Sequence, residues 1–142
     1  MTAKLVTRIY FEEGTGCIRI AREILSISVP GAKVEIHEYL SACYGTTEYP
    51  EDMSGILLRC EGTPAKEIIY AYRCREESLP DAEEVSAVIP AIKTKVRMQA
   101  SKGAEGYIRE GYAFSPMFTL GYKKQVAEKE VFETWLRLEK AD

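Results

Sequence analysis

Two apolar-rich segments joined by a short turn sequence constrain the fold more than any other feature of the chain. Residues 55–61 (GILLRCE) and residues 67–73 (EIIYAYR) flank the turn sequence Gly62-Thr63-Pro64-Ala65. Glycine and proline favour tight turns, because glycine tolerates a positive φ angle and proline fixes its own φ angle. The two segments therefore predict a β-hairpin, and with it an antiparallel sheet.

Further strands are predicted on both sides of this hairpin. Residues 5–11 and residues 33–40 alternate in side-chain character with the two-residue period of a strand. Residues 107–114 and residues 117–122 predict a second hairpin, turned at Ser115-Pro116. Most of the predicted sheet is therefore antiparallel.

Residues 17–28 predict a first helix. Their apolar side chains recur at helical spacing, and Pro30-Gly31 follows where a helix has to end. The alternative is a β-hairpin turned at Gly14-Thr15-Gly16, because Ile18 and Ile20 also alternate with polar neighbours.

Residues 81–102 predict the longest helix. Asp81 and Glu84 stand at capping-box spacing, and apolar residues mark one helical face. Pro90 lies inside this segment and predicts a kink or two abutting helices. A strand over residues 92–101 is the alternative, because apolar and polar side chains alternate there as well.

Residues 123–140 predict a C-terminal helix. They are rich in strong helix formers, and Glu133 and Arg137 make an i,i+4 pair of opposite charge. The alternative is a final strand over residues 131–138.

The combined order of elements is β-α-β-β-β-α-β-β-α within one domain spanning residues 1–142, an ordinary length for a domain. This order predicts an α+β fold with a mainly antiparallel sheet and two to three helices on one face. It resembles a ferredoxin-like (split β-α-β) core with an added hairpin and a C-terminal helix. If the helix predictions fail, the alternative is a small antiparallel β-barrel.

Composition excludes several classes of function. The formal net charge is −3, whereas nucleic-acid binding usually needs a basic surface, so we predict no nucleic-acid partner. No apolar run approaches the length of a signal peptide or a membrane span, which predicts a cytoplasmic protein without a membrane partner. The chain contains no asparagine, which indicates either thermophilic adaptation or drift in base composition.

The four cysteines predict free thiols in a reducing compartment. Cys17, Cys43, Cys60 and Cys74 have irregular spacing and form no C-x-x-C pair. A cysteine-ligated metal protein remains the third functional hypothesis. P-loop and dinucleotide-binding motifs are absent, and no cofactor is predicted.

The second functional hypothesis is a small enzyme. His37 is the only histidine in the chain and is therefore the only imidazole available as a general base. Cys43 follows the strand that carries His37 and is a candidate nucleophile if the two side chains meet. Glu35 or Glu38 would supply the nearby carboxylate.

The first functional hypothesis is a binding or assembly domain that acts through a tyrosine-rich surface. The chain has nine tyrosines, and tyrosine and arginine are favoured where surfaces meet. The predicted surface lies on the second hairpin and comprises Tyr107, Arg109, Tyr112 and Phe118. We expect a protein partner or a small ligand there, and a homo-oligomer that associates through a sheet face or edge.

Overall fold

The chain folds as a β-sandwich of two antiparallel sheets. The computed structural model describes residues 1–43, 53–111 and 117–142. These described residues form eleven strands, in chain order β1 (Ala3–Glu12), β2 (Cys17–Ile27), β3 (Lys33–Ala42), β4 (Leu57–Glu61), β5 (Lys66–Ile69), β6 (Glu76–Pro80), β7 (Glu84–Ile89), β8 (Thr94–Ala100), β9 (Glu105–Glu110), β10 (Phe118–Ala127) and β11 (Val131–Lys140). A 3-10 turn, Pro90–Ile92, lies between β7 and β8.

The two sheets differ in size. The larger sheet has seven strands in the order β1-β2-β11-β8-β7-β4-β5, and the smaller sheet has four in the order β3-β10-β9-β6. Side chains from the facing surfaces form one apolar core, whose fully buried members include Ile24, Met53, Leu58, Tyr70, Ile108, Phe118, Leu120, Tyr122 and Phe132. No helix in the described part of the chain is long and apolar enough to cross a membrane.

The α+β prediction, with its ferredoxin-like core, is wrong. The segment predicted as the first helix is β2, which pairs with β1 through the turn at Gly14-Thr15-Gly16. The hairpin alternative was therefore correct for this segment. Ile18 and Ile20 lie on the same face of β2 and neighbour Phe11 and Ile9 of β1. A helical spacing of apolar residues arises here because β2 buries side chains on both of its faces.

The predicted long helix is two strands. β7 and β8 pair with each other, and the 3-10 turn that begins at Pro90 connects them. Proline has no amide hydrogen to donate to a ladder, so it occupies the turn and not the strand. Lys93 closes the turn with a φ angle of 50°. The strand alternative for residues 92–101 was therefore correct over β8.

The predicted C-terminal helix is also wrong. The segment divides into the end of β10, a turn and β11, and β11 pairs with β2 on one side and β8 on the other. Glu133 and Arg137 lie on one face of a strand, where Glu133 contacts Arg19 at 3.4 Å. The barrel alternative was right about all-antiparallel structure, but the two sheets remain separate and do not close.

The hairpin and strand predictions are confirmed. β4 and β5 pair across the predicted first turn, and β9 and β10 pair as the predicted second hairpin. The predicted turn at Ser115-Pro116 lies outside the described residues. β1 and β3 contain the two strands predicted near the amino terminus.

The smaller sheet has two chemically different faces. Its inner face carries Ile36, Ile108, Phe118, Leu120 and Tyr122 into the core. Its outer face carries polar and aromatic side chains from β3, β9 and β10, because side chains alternate along each strand. The outer face is the part of the fold that presents the candidate site.

Candidate functional site

A cleft of about 260 Å³ lies on the outer face of the smaller sheet. We call it the outer-face cleft and define it by the seven side chains that line it: His37, Tyr39, Glu76, Tyr107, Arg109, Thr119 and Lys123. All four strands of the smaller sheet contribute to this lining. The cleft therefore depends on the register of the whole sheet and not on one segment.

Gly121 creates the floor between two aromatic walls. It neighbours Tyr39 of β3 on one side and Tyr107 of β9 on the other. A methyl group at Gly121 would lie 2.5 Å from the Glu38 carbonyl oxygen and 2.8 Å from the Tyr39 Cα atom. The close approach of the β3 backbone therefore requires glycine, and its missing side chain leaves space between the two rings.

His37 of the outer-face cleft is paired with a carboxylate, Glu35, that lies outside the cleft lining. His37 Nε2 and Glu35 Oε1 are 2.5 Å apart, and Gln125 donates a hydrogen bond of 2.9 Å to the other Glu35 oxygen. The hydrogen bond from His37 lowers the pKa of Glu35 below its ordinary value. The pair can form because Glu35 and His37 lie two residues apart on the same face of β3, the face that also carries Tyr39.

Tyr107 is the most enclosed aromatic residue of the outer-face cleft. Burial raises the pKa of its hydroxyl to about 12, although the neighbouring Arg109 acts in the opposite direction. Its ring centroid lies 6.3 Å from that of His37, at an interplanar angle of 56°. The Tyr107 hydroxyl is therefore a neutral hydrogen-bonding group at physiological pH.

Charged groups of both signs surround the rings. Lys123 contacts Glu105 at 3.6 Å, which partly neutralises its ammonium group. Arg109 and Glu76 occupy neighbouring strand positions, and neither forms an ion pair within the part of the chain that the structure describes. These two side chains remain available to a ligand.

Sequence reasoning found part of this site. Of the predicted binding residues, Tyr107 and Arg109 lie in the outer-face cleft with the predicted catalytic candidate His37. Tyr112 lies outside the described residues. Phe118 is fully buried and faces the core, so its side chain is not part of the surface that carries Tyr107.

The proposed catalytic partners of His37 lie elsewhere. Glu38 points to the inner face, where Arg22 of β2 donates two hydrogen bonds to its carboxylate, one of them 3.2 Å long. Cys43 follows the end of β3, six residues from His37, and an extended strand separates such positions by about 20 Å. The structure therefore does not bring His37, Glu38 and Cys43 together.

The cysteines do not converge. Cys17 and Cys60 are buried, whereas Cys43 and Cys74 are exposed, and burial raises the pKa of Cys60 to about 12. Within residues 1–43, 53–111 and 117–142, no group of three or more histidine, cysteine, aspartate or glutamate side chains is close enough to hold a metal ion. The cysteine-ligated metal hypothesis therefore has no support in these ranges.

A buried carboxylate holds the loop beside the outer-face cleft. Glu110 follows Arg109 in β9 and is fully buried. It accepts hydrogen bonds from the Ala71 amide at 2.7 Å, the Arg73 amide at 3.2 Å and Arg75 Nε at 2.7 Å. This clamp fixes the chain just before β6 and so positions Glu76 in the cleft.

Sequence reasoning missed four residues of the outer-face cleft: Tyr39, Glu76, Thr119 and Lys123. Tyr39 could have been found, because it shares the strand face of His37. The other three depend on which strands are neighbours, and a two-residue alternation shows the face of a strand but not its partner.

Comparison with known proteins identifies the fold. No protein-family model and no curated protein matches the sequence. The candidate mutarotase YeaD from Salmonella typhimurium is 7% identical with a TM-score of 0.57, and the match covers 96% of this chain and 53% of that one. The protein HI1317 is 7% identical with a TM-score of 0.53, covering 96% of this chain and 65% of that one. The chain thus spans between half and two thirds of the length of both proteins, and the likeness is one of fold.

Proposed function

We propose that the chain is a binding domain that takes a small polyhydroxylated ligand, a sugar, in the outer-face cleft. One observation carries the proposal: Tyr39 and Tyr107 stand on either side of Gly121, within a ring of polar and charged side chains. This arrangement supports a small ligand, and not a protein partner, for the tyrosine-rich surface expected from the sequence.

The chemistry of the outer-face cleft matches that of a sugar. The C–H face of a pyranose ring is apolar and packs on aromatic rings, as the exposed Tyr39 and half-buried Tyr107 would allow. Sugar hydroxyls both donate and accept, and hydrogen bonds to charged groups are the stronger kind. Arg109, Lys123 and Glu76 supply such groups.

Size and fold also support a single sugar ring. The cleft volume of about 260 Å³ is slightly below the range of drug-sized ligand sites, which begins at about 300 Å³. One solved structure of the same fold is that of a candidate mutarotase. Both facts favour a monosaccharide unit over a large polymer segment.

Titration calorimetry with hexoses tests the proposal. Glucose, galactose and mannose are titrated into the protein, with cyclohexylmethanol as an apolar ring that lacks the hydroxyl pattern. We expect at least one hexose to bind saturably. Tyr39→Ala and Tyr107→Ala should each weaken that binding by about tenfold, which corresponds to a loss of about 1.4 kcal/mol of binding free energy.

The control for this test is Ile69→Ala, which removes an exposed apolar side chain from the larger sheet. It should leave the affinity unchanged. Absence of hexose binding, or equal affinity in the tyrosine variants and the wild type, would contradict the proposal.

A catalytic role for the same site is the second candidate, and the His37–Glu35 pair favours it. Mutarotation needs a base that removes the proton of the anomeric hydroxyl and an acid that protonates the ring oxygen. The bond between C1 and the ring oxygen then breaks, and it re-forms on the other face of C1. His37 is the candidate for one of these two proton transfers. Polarimetry of fresh α-glucose should show a rate that increases with protein and is lost in His37→Ala; a rate equal to buffer alone rejects this role.

A further inference from the structure

The long strand β1 forms one edge of the larger sheet. Within residues 1–43, 53–111 and 117–142, β1 pairs only with β2 and stands at the end of the strand order. Nine of its ten residues are exposed, including Leu5 (45%), Ile9 (55%) and Phe11 (75%). Native proteins usually shorten, bend or charge such an edge, because its unpaired backbone groups can bind another strand. β1 has ten residues, and its register with β2 shifts once, between Lys4 and Leu5.

Apolar side chains run from the core to this edge. One row across the larger sheet consists of Met98, Leu136, Ile18 and Phe11, which are cross-strand neighbours in that order. Met98 is buried, whereas Phe11 is mostly exposed. Leu138, also on β11, is 62% exposed. The apolar surface of the core therefore continues beyond the area that the described smaller sheet covers.

We propose that β1 pairs antiparallel with β1 of a second copy of this chain, about a two-fold axis at Arg8, and joins the two seven-stranded sheets. The inference is independent of the proposed ligand. The backbone geometry of β1 limits the possible registers. Backbone N–H and C=O groups point alternately towards β2 and away from it, and two residues opposite each other in an antiparallel pair must point the same way. A two-fold axis therefore sets one residue opposite its own copy.

Charge distinguishes the two registers that place the axis near the centre of β1. With the axis at Arg8, Lys4 lies opposite Glu12 of the second copy at both ends of the pair. Leu5 then lies opposite Phe11, and Val6 opposite Tyr10, so charged and apolar residues both meet complementary partners.

The competing register, with the axis at Thr7, lacks this complementarity because it sets Lys4 opposite Tyr10. The proposed register has one like-charge contact, Arg8 with its own copy. Arg8 Nη1 is already 2.9 Å from Glu23 Oε2 within each chain, so the charge at the axis is largely neutralised. A self-complementary pattern of this kind indicates a second copy as the occupant.

Mass in solution and a charge reversal test the proposal. Light scattering on the wild type should give twice the 16.0 kDa chain mass. Lys4→Glu and Glu12→Lys should each raise the dimer dissociation constant by about tenfold or more, because each sets like charges opposite. The double variant Lys4→Glu/Glu12→Lys should restore the constant to within about threefold of the wild type. Lys66→Glu, on the opposite edge strand, is the matched control and should have no effect.

Disulfide trapping gives a second readout that does not depend on affinity. In a Cys43→Ser/Cys74→Ser background, Arg8→Cys should form a covalent dimer on oxidation, because opposite residues have Cα atoms about 4.5–5.5 Å apart. Thr7→Cys, offset diagonally at about 7–8 Å, should not. A monomeric wild type, a double variant without rescue, or trapping by Thr7→Cys instead of Arg8→Cys would overturn the proposal.

Discussion

Glu110 is a fully buried carboxylate that is held by hydrogen bonds from one loop. Its carboxylate is fully buried and accepts hydrogen bonds from two backbone amides and from Arg75. Arg75 also donates a hydrogen bond to the Ile69 carbonyl. Tyr72 and Cys74, which lie between these two residues in the chain, have positive φ angles of 58° and 54°. The loop therefore adopts a conformation that its own sequence does not favour, and Glu110 stabilises it.

Removing this carboxylate should destabilise the protein severely. Glu110→Ala leaves the Ala71 and Arg73 amides and the partly exposed Arg75 guanidinium without their acceptor. We expect the free energy of unfolding to fall by about 3 kcal/mol. Urea denaturation measures the loss. Glu13→Ala, at an exposed glutamate, is the control and should change stability by less than about 0.5 kcal/mol. A loss in Glu110→Ala as small as that would contradict the clamp.

The same residue predicts a dependence of stability on acid. Burial alone would raise the pKa of Glu110, but the hydrogen bonds from Arg75, Ala71 and Arg73 outweigh it and the pKa is lowered. A carboxyl with a lower pKa in the folded state stabilises the protein above its unfolded pKa, near 4.5, and that stabilisation is lost as the pH falls further. The stability difference between wild type and Glu110→Gln should therefore shrink between pH 5 and the acid limit of folding.

At the scale of elements, the contact of β3 with β10 determines the shape of the outer-face cleft. Gly121→Ala would place a methyl group 2.5 Å from the Glu38 carbonyl and 2.6 Å from the Tyr39 Cβ atom. Backbone has to move to relieve these contacts, and we expect a loss of about 1–3 kcal/mol by thermal or urea unfolding. Gln125→Ala, on the same strand and face, should cost much less. Equal stability of both variants would contradict the close contact between the backbones of β3 and β10.

Strands that are recognised by alternation or by turn residues could be predicted from the sequence. The hairpin of β4 and β5 follows from Gly62 and Pro64, which specify a turn locally. The three helix predictions failed because a strand that is partly buried on both faces can also carry apolar residues at helical spacing. β7 shows this clearly: five of its six residues, Glu84 among them, are buried. Glu84 is buried because Arg97 and Lys95 of β8 pair with it. Partners this distant in sequence are not visible in a local pattern.

At the scale of the whole molecule, the outer-face cleft exists because two sheets of unequal size pack on one core. The smaller sheet directs Phe118, Leu120 and Tyr122 inward, which leaves the alternate positions of the same strand facing outward. His37, Tyr107 and Arg109 could be selected from the sequence by residue type alone. Their convergence with Glu76 and Thr119 could not, because it requires the order β3-β10-β9-β6.

Chemical-shift mapping of the ¹⁵N-labelled protein during a hexose titration tests whether the outer-face cleft binds a sugar. We expect saturable shifts confined to β3, β6, β9 and β10, largest at Tyr39, Gly121 and Tyr107, with β1 and β5 unaffected. Shifts that map instead to the larger sheet, or no shifts with any hexose at millimolar concentrations, would contradict sugar binding in the cleft.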